Sequence, residues 1–127
     1  TRSIHPSNKI IKSYNLGNIE IMGSDLQHKI KYRTYPMPKM DYDTAISLAD
    51  DVQDGKGWRL PTIKEFKFLQ GYHDLKVLNF SRDAYWTSDI IEYDQHTYNQ
   101  YAYYFNGPRY GGIPKTERLC VRLVRDI

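Results

Sequence analysis

Ten consecutive residues, Gly57-Trp58-Arg59-Leu60-Pro61-Thr62-Ile63-Lys64-Glu65-Phe66, constrain this chain more tightly than any other stretch. Pro61 cannot continue a hydrogen-bonded ladder and holds Leu60 extended. Thr62 and Glu65 have the spacing of a capping box. In it the hydroxyl accepts from the amide of Glu65, and the carboxylate accepts from the amide of Thr62. Extended chain therefore gives way to helix at one defined place. Phe66, Leu69 and Ile63 form the inward face of that helix, which is expected to end near Gly71. Trp58 and Leu60 bracket Arg59 just ahead of the turn, and Trp58 and Trp86 are read as core aromatics.

The rest of the chain is read around this point. Residues 1–16 have no clear period and suit a leading strand or a docked arm. Asn18 to Met22 alternates apolar with polar, as a strand does. His28 to Tyr35 alternates too, with Ile30, Tyr32 and Thr34 opposite Lys29, Lys31 and Arg33, until Pro36 and Pro38 end it. Asp41 is a good N-cap for a helix carrying Tyr42, Ala45, Ala49 and Val52 at helical spacing. Asp54-Gly55 and Gly57 stop it. After the second helix the pattern turns to β. Ala84 to Ser88 and Tyr101 to Phe105 are strands, Asn106-Gly107 is a hairpin turn, and Gly111-Gly112 is a further break. Leu119 to Val124 is apolar on both faces, which predicts a central final strand.

Length and charge limit the functions to be considered. A chain of 127 residues fits one domain and can bury a core without disulfides. Its single cysteine, Cys120, excludes an intrachain bridge and any zinc site needing two thiolates. No apolar run approaches the length of a membrane helix, so membrane insertion is not expected. The net charge of +3 is weak support for nucleic-acid binding. Tyrosine stands out, with 12 residues in all and six of them between Tyr93 and Tyr110. Tyrosine offers a large, rigid contact area with a polar tip. The cluster reads either as a binding face or as the aromatic surface of a sheet.

The order of motifs is specific. An acid-capped helix precedes Trp58-Arg59-Leu60-Pro61-Thr62 with Glu65, then a second helix, Tyr85-Trp86-Thr87-Ser88, an aromatic region and Val121-Arg122-Leu123-Val124-Arg125. From about Lys39 to Arg125 this resembles the Lcl C-terminal-like family of bacterial domains, with Thr87 a mild departure and residues 1–38 weakly matched. The resemblance implies an α+β, C-type-lectin-like fold. Two helices would pack on a small, mainly antiparallel sheet beside a long irregular loop region, in one domain spanning residues 1–127. It also implies a bacterial surface, secreted or phage protein. In the adhesin that names the family, the domain is associated with glycan binding and trimeric assembly. Arg59 and Arg122 are expected to brace loops through bonds to carbonyls or carboxylates.

Three chemistries are open to a domain of this kind. Calcium needs several converging oxygens, and the Glu-Pro-Asn and Trp-Asn-Asp motifs of calcium-dependent lectins are missing. Asp89, Glu92 and Asp94 are the acids that could meet, but no cofactor is expected. For catalysis, His5, His28, His73 and His96 lack metal-ligand spacing, and Cys120 reads as a buried small hydrophobe. No nucleophile–base pattern appears, so the chain is not expected to be an enzyme. Binding is the third. Tyr93, His96, Tyr98, Asn99, Tyr101, Tyr104, Asn106, Arg109 and Tyr110 mix stacking rings with hydrogen-bonding groups, as a glycan or a protein epitope requires. Gln100 and Tyr103 share the segment. Alternate tyrosines along a strand face opposite sides, so only half of those near Tyr101 can share one surface. The expectation is a non-catalytic recognition domain with a glycan or protein ligand. The alternative is a structural, oligomerising domain, with a homo-oligomer left open.

Overall fold

A computed structural model describes residues 12–29, 35–52, 57–91 and 98–127. Within them the chain is α+β, with two helices and two three-stranded antiparallel sheets rather than one. The element order is β1 (Ser13–Asn15), β2 (Ile19–Met22), α1 (Tyr42–Asp51), α2 (Ile63–Asp74), β3 (Tyr85–Trp86), β4 (Asn99–Tyr104), β5 (Arg109–Pro114) and β6 (Val124–Asp126). One sheet runs β1-β2-β6 and the other β3-β4-β5. The strand expected over His28 to Tyr35 lies mostly outside the described residues. His28, its first residue, exchanges backbone bonds of 2.8 and 2.7 Å with Met37, just past Pro36.

Both helices start where their caps dictate. The Asp41 carboxylate accepts from the Thr44 amide at 2.9 Å. At α2 the capping box is complete: Thr62 Oγ1 accepts from the Glu65 amide at 3.1 Å, and Glu65 Oε1 accepts from the Thr62 amide at 2.9 Å. Asp89, 26 positions on, accepts from the Ile63 amide and covers another exposed donor of the same first turn. Glu65 also takes both terminal nitrogens of Arg59, at 2.8 and 2.7 Å, and Arg59 reaches Asp126 at 2.9 Å. The bracing expected of Arg59 is present.

Two expected breaks are absent. The second helix runs through Gly71 to Asp74 and ends with Leu75 as its C-cap. Lys76 then adopts a left-handed φ of 60°. A glycine inside a helix costs only about 1 kcal/mol, and the buried Phe66, Leu69 and Gln70 anchor the turns around it. Gly111-Gly112 is likewise not a break but the middle of β5, opposite Ala102 and Tyr101. The reversal of direction falls at residues 105–108, where Gly107 takes a φ of 72°.

Adjacent residues in a strand face opposite ways, so β2 and β3 each feed two cores. On the α2 side, Ile19, Ile21, Phe66, Leu69, Tyr85, Tyr103, Phe105 and Val124 pack together. Phe66 stacks on Tyr103 with ring centroids 5.3 Å apart. On the α1 side, Met22, Ala45, Ala49, Trp58, Leu60, Trp86 and Leu123 form the second core. Both tryptophans are buried, and Trp86 Nε1 donates to the Met40 carbonyl at 2.9 Å. The final segment is buried from Cys120 to Val124 as expected, but its bonding is divided. Leu119 pairs with Met40, Cys120 with Tyr85 and Val124 with Arg59, while β6 forms an edge of the first sheet.

Two predictions follow from these contacts. Thr62→Ala should lower the unfolding free energy by about 1 kcal/mol in denaturant titrations, through the lost cap. The second concerns acid. Bonds from Arg125 and then Ser13 hold Glu20 below its ordinary value, and bonds from Thr44 do the same for Asp41. Burial opposes ionisation of Glu65, but the bonds from Arg59 and Thr62 outweigh it and lower its value too. Depressed carboxyls stabilise the fold above their unfolded values of about 4, and this is lost as pH falls through the lower folded values. The thermal midpoint should change little between about pH 5 and 7 and fall steeply below about pH 4. Glu65→Gln should soften that acid limb.

Candidate functional surface

β4 and β5 form a hairpin whose two faces have different fates. Tyr101 and Tyr103 lie on the α2 side, and Tyr110 faces Tyr103 across the hairpin. Tyr103 is buried there, stacked on Phe66, and its hydroxyl donates to Gln70 Oε1 at 2.9 Å. Gln70 Nε2 in turn donates to the Phe105 carbonyl at 3.0 Å and to Asp74 at 2.9 Å. Tyr101 is half-buried, and its ring meets that of Tyr110 edge-on at 5.6 Å. Tyr110 remains 48% exposed. Lys67 Nζ sits 5.1 Å from the centre of its ring, within cation–π range.

Lys67, Gln70, Tyr103, Pro108, Arg109 and Tyr110 line a shallow cleft of about 510 Å³ between α2 and the hairpin. Its floor is rigid because Gln70 and Tyr103 are bonded to each other and to the backbone. Its rim carries the exposed Tyr110 ring and the Lys67 ammonium. Lys67 and Gln70 were not among the candidates read from the sequence. Their spacing of three places them side by side on a helix, but nothing local says that this flank meets the hairpin.

The other expected residues are distributed more widely. Tyr93 and His96 lie outside the described residues, as do Glu92 and Asp94. Tyr98 is 72% exposed just before β4, and Asn99 is exposed at its first position. Gln100 is buried, and its Nε2 donates to the carbonyls of Thr87 and Asp89. Tyr104 lies on the α1 side beneath the Arg109 guanidinium, 4.3 Å from its ring centre. Arg109 also donates to the Gly107 carbonyl at 3.2 Å and the Asn106 carbonyl at 3.4 Å, which braces the turn. Among the nine candidates, Tyr110 and the border residue Arg109 line the cleft, and Tyr101 is joined to it only through its ring contact with Tyr110. Tyr104 belongs to the opposite face.

A larger concavity of about 610 Å³ lies elsewhere, walled by Met22, Leu26, Pro38 and Val52 and reaching Asp25 and Cys120. Its charged groups satisfy one another. Asp25 accepts from Tyr85 Oη at 2.9 Å and from Arg122 Nε at 2.8 Å, and Lys39 pairs with Asp83 at 2.7 Å. Arg122 further donates to the carbonyls of Asn79 and Met22, the loop bracing expected of it. Burial raises the Tyr85 hydroxyl well above its ordinary value, with the Asp25 charge adding to it. Burial likewise raises the Cys120 thiol, which favours its unreactive form. Among the described residues no three histidine, cysteine or acidic side chains converge as a metal would need.

Structural and surface tyrosines should separate on mutation. Tyr103→Phe leaves buried Gln70 Oε1 without its donor and should cost about 1–2 kcal/mol in denaturant titrations. Tyr110→Ala should cost less than about 1 kcal/mol, since its ring is half in water. The chain matches none of the protein-family models against which it was compared, and a search of curated proteins yields no match.

Proposed function

We propose that this chain is a non-catalytic recognition domain of a bacterial or phage protein, with a C-type-lectin-like fold. It binds a glycan or a protein surface at the cleft between α2 and the β4–β5 hairpin. The observation that carries this reading is the Tyr101–Tyr110 pair. Two rings meet edge-on at the surface, one of them half-exposed, beside the Lys67 ammonium. A ring fixed in this way offers a flat apolar platform at little entropic cost on binding. The neighbouring donors can meet hydroxyls, carbonyls or carboxylates. The resemblance carried by Trp58 to Glu65 supports the lectin-like fold, and the helix this motif opens, α2, forms one wall of the cleft.

A glycan array probed with and without calcium tests this reading. The expected result is a defined hit that chelator does not remove. Tyr110→Ala should weaken it at least about tenfold, the scale of about 1.4 kcal/mol, and Tyr101→Ala should act in the same direction. A blank array would move the reading to a protein ligand. A hit that survives Tyr101→Ala and Tyr110→Ala together would place the binding surface elsewhere.

A further inference from the structure

The outer edge of β5 is open. The alternation of its backbone groups can be worked out from two bonds. Tyr101 gives its carbonyl to the Thr87 amide on the β3 side, whereas Tyr98 gives its carbonyl to the Lys115 amide on the β5 side. Along antiparallel strands these directions alternate. Arg109, Gly111 and Ile113 therefore turn their amides and carbonyls toward β4, and Tyr110 and Gly112 turn theirs outward. Pro114 has no amide hydrogen, and its carbonyl already accepts from Glu117 at 3.0 Å. Among the described residues nothing pairs with the outward groups of Tyr110 and Gly112. An exposed edge is a template for another strand unless charge, proline or a bulge blocks it. Here only Arg109 is charged, and the one proline is at the end of the strand.

We propose that this edge pairs antiparallel with β5 of a second copy of the chain, about a two-fold axis through Gly111. The strand is complementary to itself in this register. Tyr110 lies opposite Gly112 of the second copy and exchanges both backbone bonds with it, and Gly112 does the same with the second copy's Tyr110, so all four outward groups are used. Gly111 faces its own counterpart at the axis. That pair is of the non-hydrogen-bonded kind, where the backbones approach most closely, at about 4.5 Å between Cα atoms. Absence of a side chain removes the crowding there. Tyr110 is set opposite a residue that has no side chain, as Tyr101 is within one chain. Arg109 faces Ile113 rather than another cation. Centring the pair on Gly112 instead would set Tyr110 against Pro114, which has no amide hydrogen and an occupied carbonyl. That register forfeits half of the bonds. The resulting six-stranded sheet carries both tyrosine clefts on one face.

This pairing is independent of what the tyrosine cleft binds, and position 111 tests it without touching the cleft. A Cβ at Gly111 meets nothing within 4 Å in the single chain, so substitution there should leave the fold intact, checked by the thermal midpoint. Sedimentation equilibrium of the unmodified chain should give twice the 15.0 kDa of one copy. Gly111→Glu sets two carboxylates against each other at the axis and should raise the dimer dissociation constant at least about tenfold. Gly111→Cys should form an interchain disulfide under mild oxidation, because the expected Cα separation suits one. Thr116→Cys, also exposed, should crosslink far more slowly. A chain that stays monomeric at all concentrations overturns the proposal, as would be seen if the edge instead receives a strand from another protein. A dimer unaffected by Gly111→Glu, or equal crosslinking at 111 and 116, overturns it as well. Glycan or protein binding by monomeric Gly111→Glu would leave the recognition reading standing.

Discussion

Residues 119–126 tie the structure together through bonds to β2, to β3 and to the segments ahead of both helices. Leu119 exchanges bonds with Met40 just ahead of α1, and Cys120 bonds the chain on either side of Tyr85. Val121 and Leu123 give their carbonyls to Leu26 and Met22, and Val124 exchanges bonds with Arg59. Val124 to Asp126 then pair with β2. This segment is bonded along both edges and also covered on both faces, so Cys120 to Val124 are almost wholly removed from water. Its apolar composition follows from that position. So does the charge chemistry of Arg122, a cation only 3% exposed. Removing such a group from water is costly unless its donors are met, and the Asp25 carboxylate and two carbonyls meet them.

The rigidity at the start of α2 has the same source. Arg59 lies in the strand-like segment that Val124 pins, and its guanidinium binds Glu65 of the capping box and Asp126 of β6. One carboxylate thus closes a helix end and ties it to the last strand. The position of α2 fixes Lys67 and Gln70, and through Gln70 it fixes Tyr103 and the hairpin. The Tyr101–Tyr110 pair is held at the end of this chain of contacts. Its geometry is set by buried groups that touch no ligand.

Much of this was legible in the sequence wherever the determinant is short-ranged. Asp41, and Thr62 with Glu65, named the helix starts because a cap is completed within three residues. Trp58 and Trp86 were read as core from local pattern, and they are. The expected ends fared worse. Gly71 and Gly111-Gly112 read as breaks on propensity, which is a small term. Packing of Phe66 and Leu69, and pairing with Ala102 and Tyr101, override it. The tyrosine cluster was legible as a cluster, and so was the rule that alternate rings diverge. Which rings meet water depends on where α2 lies. Tyr103 looks like Tyr101 in sequence, yet one is buried against Phe66 while the other is only half-buried and meets the Tyr110 ring.

The sequence alone determined the α+β class, both helix starts, the burial of the tryptophans and the alternation of β2 and β4. These follow from hydrogen bonds closed within a turn and from side-chain period. Tertiary structure decided the division into two sheets, the use of Asp89 as a cap, the placing of Lys67 and Gln70 beside Tyr110, and the open edge of β5. These depend on groups brought together across 26 residues for Asp89 and Ile63, 35 for Gln70 and Phe105, and 97 for Arg122 and Asp25. Such pairings are selected by the packing of the whole core, and no local spacing encodes them.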